Sequence, residues 1–411
     1  MLVMPADVDE VRTARHLVQG LLAEGVDAAR QREHRAFDEL AGHAVDSIIL
    51  FGAGGLGRRC LAGLRRYGRE PLAFADNNPR LWDSDIDGLR VLSPAEAAKR
   101  FSETAVFVIT IWGARGSDRM SERVSAVRRL GCKTVMPFGP LCWRYPDGVL
   151  PHYGVDLPHG VIEQSNDVLK GFDLWADAES RREYIAQLRW RLVFDFEELG
   201  RPAPESMYFP PDLLQLQANE LFVDCGAFDG DTLRQFLIAS NGAFEHYIAV
   251  EPDPGNFSQL SDSVSSLPEA VRQRIEIRQA ALAAEDGTVR FSAGGGPSSH
   301  VGEGDLEVDA IALDGYLRGR RPTFIKMDIE GAEPQALTGA SRHIRDDRPI
   351  LAISCYHRQD HLWSIPLLIN SINKGYAFYL RPHDLEGWDL VCYAIPRARL
   401  PLERQADIGR R

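Results

Sequence analysis

The sequence has no excess of positive charge: Lys and Arg number 47 against 59 Asp and Glu, a formal net charge of −12. No basic block interrupts that balance. Nucleic acid is therefore not an expected partner, because phosphate contacts need clustered Lys and Arg. Long apolar runs are also missing. The longest, Ala105–Trp112, falls far short of the roughly 20 residues of a membrane helix, so no membrane span is expected. The opening MLVMPADVDE has neither the basic nor the apolar region of a secretory signal. The six cysteines, at positions 60, 132, 142, 225, 355 and 392, form no C-x-x-C pair and no metal-ligand spacing. Three lie in apolar strand-like runs, so buried thiols in a reducing cytoplasm are the expectation. No short-period repeat is present.

What remains is an ordinary globular composition, 44% hydrophobic and 26% charged over 411 residues, enough for two or three domains. Residues 1–44 read as a helical segment, with Val8, Val11, Val18, Leu21 and Leu22 at three- and four-residue spacings. Over 45–145, strand-like runs at Ser47–Phe51, Pro71–Ala75, Ala105–Trp112 and Thr134–Phe138 alternate with helical stretches. Such alternation implies a parallel sheet covered on both faces. Residues 146–204, rich in proline around a helical Asp177–Leu199, read as a helical linker. Over 205–400 the alternation resumes. Strands are expected at Leu221–Asp224, Tyr247–Glu251, Ile275–Ala280, Thr323–Asp328, Ile350–Cys355, Tyr376–Leu380 and Leu390–Ile395. The last two are joined without a helix. The expected fold is α/β with two Rossmann-like doubly wound domains, the second seven-stranded and closing on an antiparallel hairpin.

Phe222-Val-Asp224-Cys-Gly226-Ala-Phe-Asp229-Gly230-Asp231-Thr232 follows a buried strand and opens a helix. Gly226 and Gly230 would let the backbone approach a ligand closely. Glu251, after the next strand, is placed to accept ribose hydroxyls. Asp224 stands where a dinucleotide turn has its first glycine. It would repel a pyrophosphate and accept from an ammonium, which favours S-adenosylmethionine (SAM). The cofactor set expected here is Asp224, Gly226, Phe228, Gly230, Asp231, Thr232, Glu251, Asp253 and Ala281.

Leu221–Thr232, Val250–Pro252, Leu313–Tyr316 and the run Lys326-Met-Asp328-Ile-Glu330-Gly331-Ala-Glu333 together resemble the FkbM-type family of SAM-dependent methyltransferases. The resemblance covers about 205–396. It implies a class I methyltransferase fold and O-methylation, with a sugar, glycan or glycosylated natural product as acceptor.

Ligands of open α/β sheets lie outside the carboxyl ends of the strands. Asp328 and Glu330, His357, and Arg381 with His383 all follow strand ends and are expected to converge there. His357 is the first candidate base, since histidine titrates near working pH, and Asp328 is its rival. Asp328 could equally orient the histidine, bind the acceptor or ligate Mg2+. Lys326, Arg381, His383 and His300, the last on a Gly-rich stretch at 293–305 that reads as a lid, are candidate acceptor residues.

A second glycine turn, Gly52-x-Gly54-x-x-Gly57, follows a strand and precedes Asp76 at the end of the next. This context suits a nucleotide, a nucleotide-sugar or NAD, with its pyrophosphate on the helix N-terminus. The run Phe74–Pro79 is similar to small Rossmann-like domains of sugar-modifying acyltransferases. Two rival readings stand beside the methyltransferase: a NAD(P)-dependent oxidoreductase using this turn, and a non-catalytic nucleotide-sugar scaffold.

Overall fold

The computed structural model describes residues 8–114, 116, 118–200, 202, 207–292, 300–301, 306–401 and 404. Two helices, Val8–Leu21 and Val26–Ala41, open the chain. The first sheet comprises β1 (Ile48–Phe51), β2 (Ala73–Ala75), β3 (Asp85–Ile86), β4 (Leu89–Leu92), β5 (Val106–Ile109) and β6 (Thr134–Pro137). Its order is β3-β4-β2-β1-β5-β6, parallel except for the β3–β4 hairpin. Every residue of β1, β2 and β5 is buried. Helices cover both faces, which is why these strands read as unbroken apolar runs.

The second sheet contains β7 (Leu221–Cys225), β8 (His246–Val250) and β9 (Ile275–Arg278) on one side. A small separate sheet follows, formed by β10 (Ala281–Leu282), β11 (Gly287–Ser292), β12 (His300–Val301) and β13 (Leu306–Ile311). The main sheet is completed by β14 (Phe324–Met327), β15 (Ile350–Ser354), β16 (Tyr376–Pro382) and β17 (Leu390–Pro396), in the order β16-β17-β15-β14-β7-β8-β9. All seven expected strands are present. β17 runs antiparallel between β15 and β16. The strand order reverses at the β7–β14 junction, so the crevice of this sheet opens beyond Cys225 and Met327.

The expected linker is a structural core instead. The helix Ala178–Val193 is capped by Asp177, whose side chain accepts from Ser180 N. Trp175, Tyr184 and Trp190 around it are almost fully buried, in one hydrophobic core that also holds Ile48–Phe51 and Leu351. Its place in the core escapes pattern recognition because Arg181, Glu183 and Arg191 are buried too. Arg181 donates to Trp175 O at 2.7 Å and Arg191 to Gln187 Oε1 at 2.6 Å, and such bonds offset the cost of burying a charge.

A second join lies on the hairpin between β16 and β17. Glu386 accepts from Met120 N, pairs with Arg123 at 3.1 Å, and accepts from the Trp112 indole N–H through its own carbonyl. Trp112 packs on Trp388 with ring centres 4.5 Å apart. All six cysteines are buried and unpaired. Among the described residues, no helix is long and apolar enough to cross a membrane.

Candidate active site

The crevice beyond β7 and β14 is a cavity of about 370 Å³, within the size range of small-molecule sites. One end is lined by Gly226, Phe228, Asp231, Thr232, Glu251 and Ala281, the other by Tyr153, Tyr208, Asp328, Glu330, Tyr356, Trp388 and Asp389. Tyr153, Tyr208, Phe228, Glu330 and Asp389 all have φ between +47° and +71° although none is glycine. Each such residue costs on the order of 1–3 kcal/mol, and their concentration around one cavity marks a functional site.

The glycine turn is built as the spacing suggests. Gly226 has φ +82°, and a Cβ there would lie 2.0 Å from the Asp328 carbonyl oxygen, so only glycine lets the turn pass β14. Glu251 accepts from Phe228 N at 2.9 Å and from Asp253 N at 3.0 Å. Both bonds fix its carboxylate against the cavity, and burial raises its pKa. Asp253 and Gly230 are supports that do not line the cavity. Asp253 caps the helix Pro254–Ser265 by accepting from Gly255 N and Asn256 N, and Gly230, at φ +88°, precedes the helix Asp231–Ala239.

Two expectations change here. Asp224 does not line the cavity: it is wholly buried, 3.0 Å from Lys326 Nζ, and accepts from Tyr247 Oη at 2.5 Å. Lys326 lines the cavity, but its ammonium is engaged with Asp224 and with Gly226 O at 2.6 Å. Burial opposes its charge, and Asp224 and Asp328 outweigh that, so its pKa stands above the ordinary lysine value. The expected partner for a ligand ammonium is thus already neutralised by the chain's own lysine.

At the other end, Asp328 accepts from Tyr208 Oη at 2.7 Å and from Tyr356 Oη at 3.4 Å. His357 Nε2 lies 3.3 Å from Asp328 and 3.8 Å from Glu330, while Nδ1 meets Glu333 at 2.8 Å. The three expected catalytic residues are therefore together, but His357 is not a free base. Burial pulls its pKa down, yet Glu333, Glu330 and Asp328 outweigh burial and hold it up to about 10. At neutral pH this imidazole already carries its proton. Burial pushes Glu330 up to about 8 against the pull of His357. Glu333 is held down to about 2, burial notwithstanding, chiefly by His357.

Arg381 and His383 do not reach the cavity lining. Arg381 pairs with Asp177 at 2.7 Å and Asp212 at 3.2 Å, and Tyr393 Oη meets His383 Nε2 at 2.7 Å. Strand β16 ends on the helix Ala178–Val193, so its polar terminus anchors that helix instead of an acceptor. Arg381→Ala is expected to cost roughly 1.5–3 kcal/mol of stability without moving S-adenosylhomocysteine (SAH) affinity, as denaturant titration and calorimetry would report. The side chain of His300 and the remainder of the expected lid, apart from the backbone of His300 and Val301, lie outside the described residues.

Tyr153, Tyr208 and Trp388 had no signal in the sequence. Tyr153 comes from the supposed linker and Trp388 from a hairpin loop. Tyr356 is flagged only by its neighbour His357.

In the N-terminal half, Asp76 accepts from Ala53 N and Asn78 N, both at 2.8 Å. Its bond to the glycine turn matches the one between Glu251 and Phe228. A Cβ on Gly57 would sit 1.9 Å from Gly52 O, so this glycine packs helix against strand.

Residues 224–378 match the family described as "Methyltransferase FkbM domain". The chain carries an FkbM methyltransferase domain. Its structure is similar to that of methyltransferase FkbM from Methylobacillus flagellatus KT, at 25% identity and a TM-score of 0.74, over 92% of this chain and 99% of that one. That likeness extends well beyond the FkbM domain into the N-terminal half. A match to the methyltransferase domain of bacterial CtHen1 reaches 13% identity and a TM-score of 0.28, over 45% of this chain and 91% of that one, and carries no weight. No curated protein matches. Within the FkbM domain, the glycine turn and Glu251 form one end of the cleft, and the Asp328–Glu330–His357 cluster forms the other.

Proposed function

We propose that the protein transfers a methyl group from SAM to a hydroxyl of a polyhydroxylated acceptor, a sugar unit of a nucleotide-sugar, glycan or glycosylated natural product. The observation that carries this reading is one continuous cleft with two chemically distinct ends. The Gly226–Thr232 turn and the fixed carboxylate of Glu251 fit a nucleoside. Tyr153, Tyr208, Tyr356 and Trp388, interleaved with Asp328, Glu330 and Asp389, fit a sugar, whose apolar faces stack on aromatic rings while its hydroxyls donate to carboxylates.

Bound there, SAM would supply a methyl carbon on a cationic sulfur, passing to the acceptor oxygen as the C–S bond breaks and the hydroxyl proton leaves. The chain's task is alignment and proton removal. Asp328, oriented by two tyrosine hydroxyls and by His357, is the cleft carboxylate placed to receive that proton, because Glu330, pushed up to about 8 by burial, already carries one at neutral pH. His357 positions Asp328.

Glu251→Ala is expected to weaken SAH binding roughly 5- to 150-fold, the equivalent of about 1–3 kcal/mol, measured by calorimetry. The reading as a whole is tested by methyl transfer from labelled SAM to a panel of sugars and nucleotide-sugars. Transfer to at least one, slowed about 10²–10⁴-fold in Asp328→Asn with SAH affinity kept, supports it. Transfer to nitrogen, or equal turnover in the variant, overturns it. The Gly52–Gly57 turn with Asp76 is proposed to hold the nucleotide part of such an acceptor.

A further inference from the structure

We propose that His357, Asp328 and Glu330 form a binding site for one first-row divalent metal ion at the acceptor end of the cleft, of the Mn2+ or Zn2+ class in preference to Mg2+. The proposal deepens the methyltransferase reading and rests on it for the ion's purpose, although not for its binding.

The histidine carries the argument. His357 Nδ1 is held by Glu333, itself fully buried and fixed by Ile329 N at 2.9 Å. This is the arrangement by which a metal-ligating imidazole is usually oriented: a carboxylate takes one ring nitrogen and leaves the other for the metal. The other nitrogen, Nε2, belongs to a side chain that is 1% exposed, makes no hydrogen bond, and is aimed at Asp328 and Glu330. Its distances to their oxygens are 3.3 and 3.8 Å. Bonds of about 2.1 Å set neighbouring ligand atoms about 3.0–3.4 Å apart, and the two separations from Nε2 lie at or a little beyond that range.

Charge points the same way. Three carboxylates surround one imidazole at a site largely shielded from water, and the nearby Lys326 is already engaged with Asp224. A divalent ion binding here displaces the Nε2 proton of His357 and the proton on Glu330, and the three carboxylates then balance its charge. Asp328 and Glu330 line the cleft, so the open coordination positions face the acceptor. There the ion would act as a Lewis acid on a bound hydroxyl. Magnesium prefers oxygen ligands and keeps its waters, whereas an imidazole beside carboxylates suits manganese, iron or zinc.

The test uses the full-length protein after chelator treatment. MnCl2 is titrated while the free-ion electron paramagnetic resonance signal is followed, and MgCl2 is then tried as competitor. The expected result is one Mn2+ per chain, at least about tenfold weaker binding in His357→Gln and in Glu330→Gln, and Mg2+ displacing it only in large excess. If His357→Gln fails to fold, Glu330→Gln and the visible spectrum of a Co2+-loaded sample decide: loss of a Co2+ band in the variant supports the site. Absence of Mn2+ binding, or equal binding in both variants, overturns the proposal. SAH titration of the same sample separates the two readings. Binding of SAH without Mn2+ removes only the metal site, and binding of Mn2+ without SAH removes the cofactor reading.

Discussion

Lys326→Met is expected to destabilise the protein by about 3–5 kcal/mol, the cost of stranding a buried charge. Asp224 is wholly enclosed, and without Lys326 Nζ at 3.0 Å it keeps the Tyr247 hydroxyl but loses the cation that neutralises it. The same ammonium also donates to Gly226 O, so the turn that lines the cleft loosens with the loss of the pair. Asp224→Asn in the Lys326→Met background should recover more than half of the loss, because it removes the stranded charge. That non-additivity marks direct coupling. Denaturant unfolding of the four proteins of the cycle measures it. Additive effects would mean that the two residues act independently.

Gly226→Ala is the second large effect. Its φ of +82° is strained for any side chain, and the new Cβ would lie 2.0 Å from Asp328 O. The backbone strain contributes about 1–3 kcal/mol and forced overpacking about as much again. The clash is with backbone, so β14 and the turn must part, carrying Asp328 away from the Gly226–Thr232 end of the cleft. Loss of SAH binding by more than about tenfold should accompany the loss of stability. Gly230→Ala, whose Cβ would meet Leu260 no closer than 3.3 Å, should be milder in both. Equal damage from the two substitutions would refute the close-approach argument.

The sequence revealed most where burial is complete on both faces. β1, β5, β7 and β15 are apolar throughout or nearly so, and their alternation with helices was sufficient to expect two doubly wound sheets. β3 and the β10–β13 sheet escaped because their burial is partial or the strands are only two residues long. Without a continuous apolar run they resemble loops. The helix Ala178–Val193 was recognised as a helix but not as core, since its buried charges obscure any apolar face.

In the site, residue types were legible and roles were not. The turn, Glu251, Asp328 and His357 stand at strand ends, and strand ends converge in this topology. Asp224 looked like a ligand group because nothing in one dimension says that Lys326, 102 positions later, reaches it across adjacent strands in the register Lys326–Asp224. His357 looked like a base because its protonation depends on Glu333, Glu330 and Asp328, brought in from another strand end. Tyr153 and Trp388 reach the cleft only through packing between the two halves.

The most direct test of the central claim is calorimetric titration with SAH of the wild-type chain, Glu251→Ala and Asp76→Ala. The account predicts one site per chain, sharply weakened in Glu251→Ala and unchanged in Asp76→Ala. A wild-type chain that ignores SAH but binds NAD(H), with that binding lost in Asp76→Ala, would contradict it and move the chemistry to the N-terminal turn.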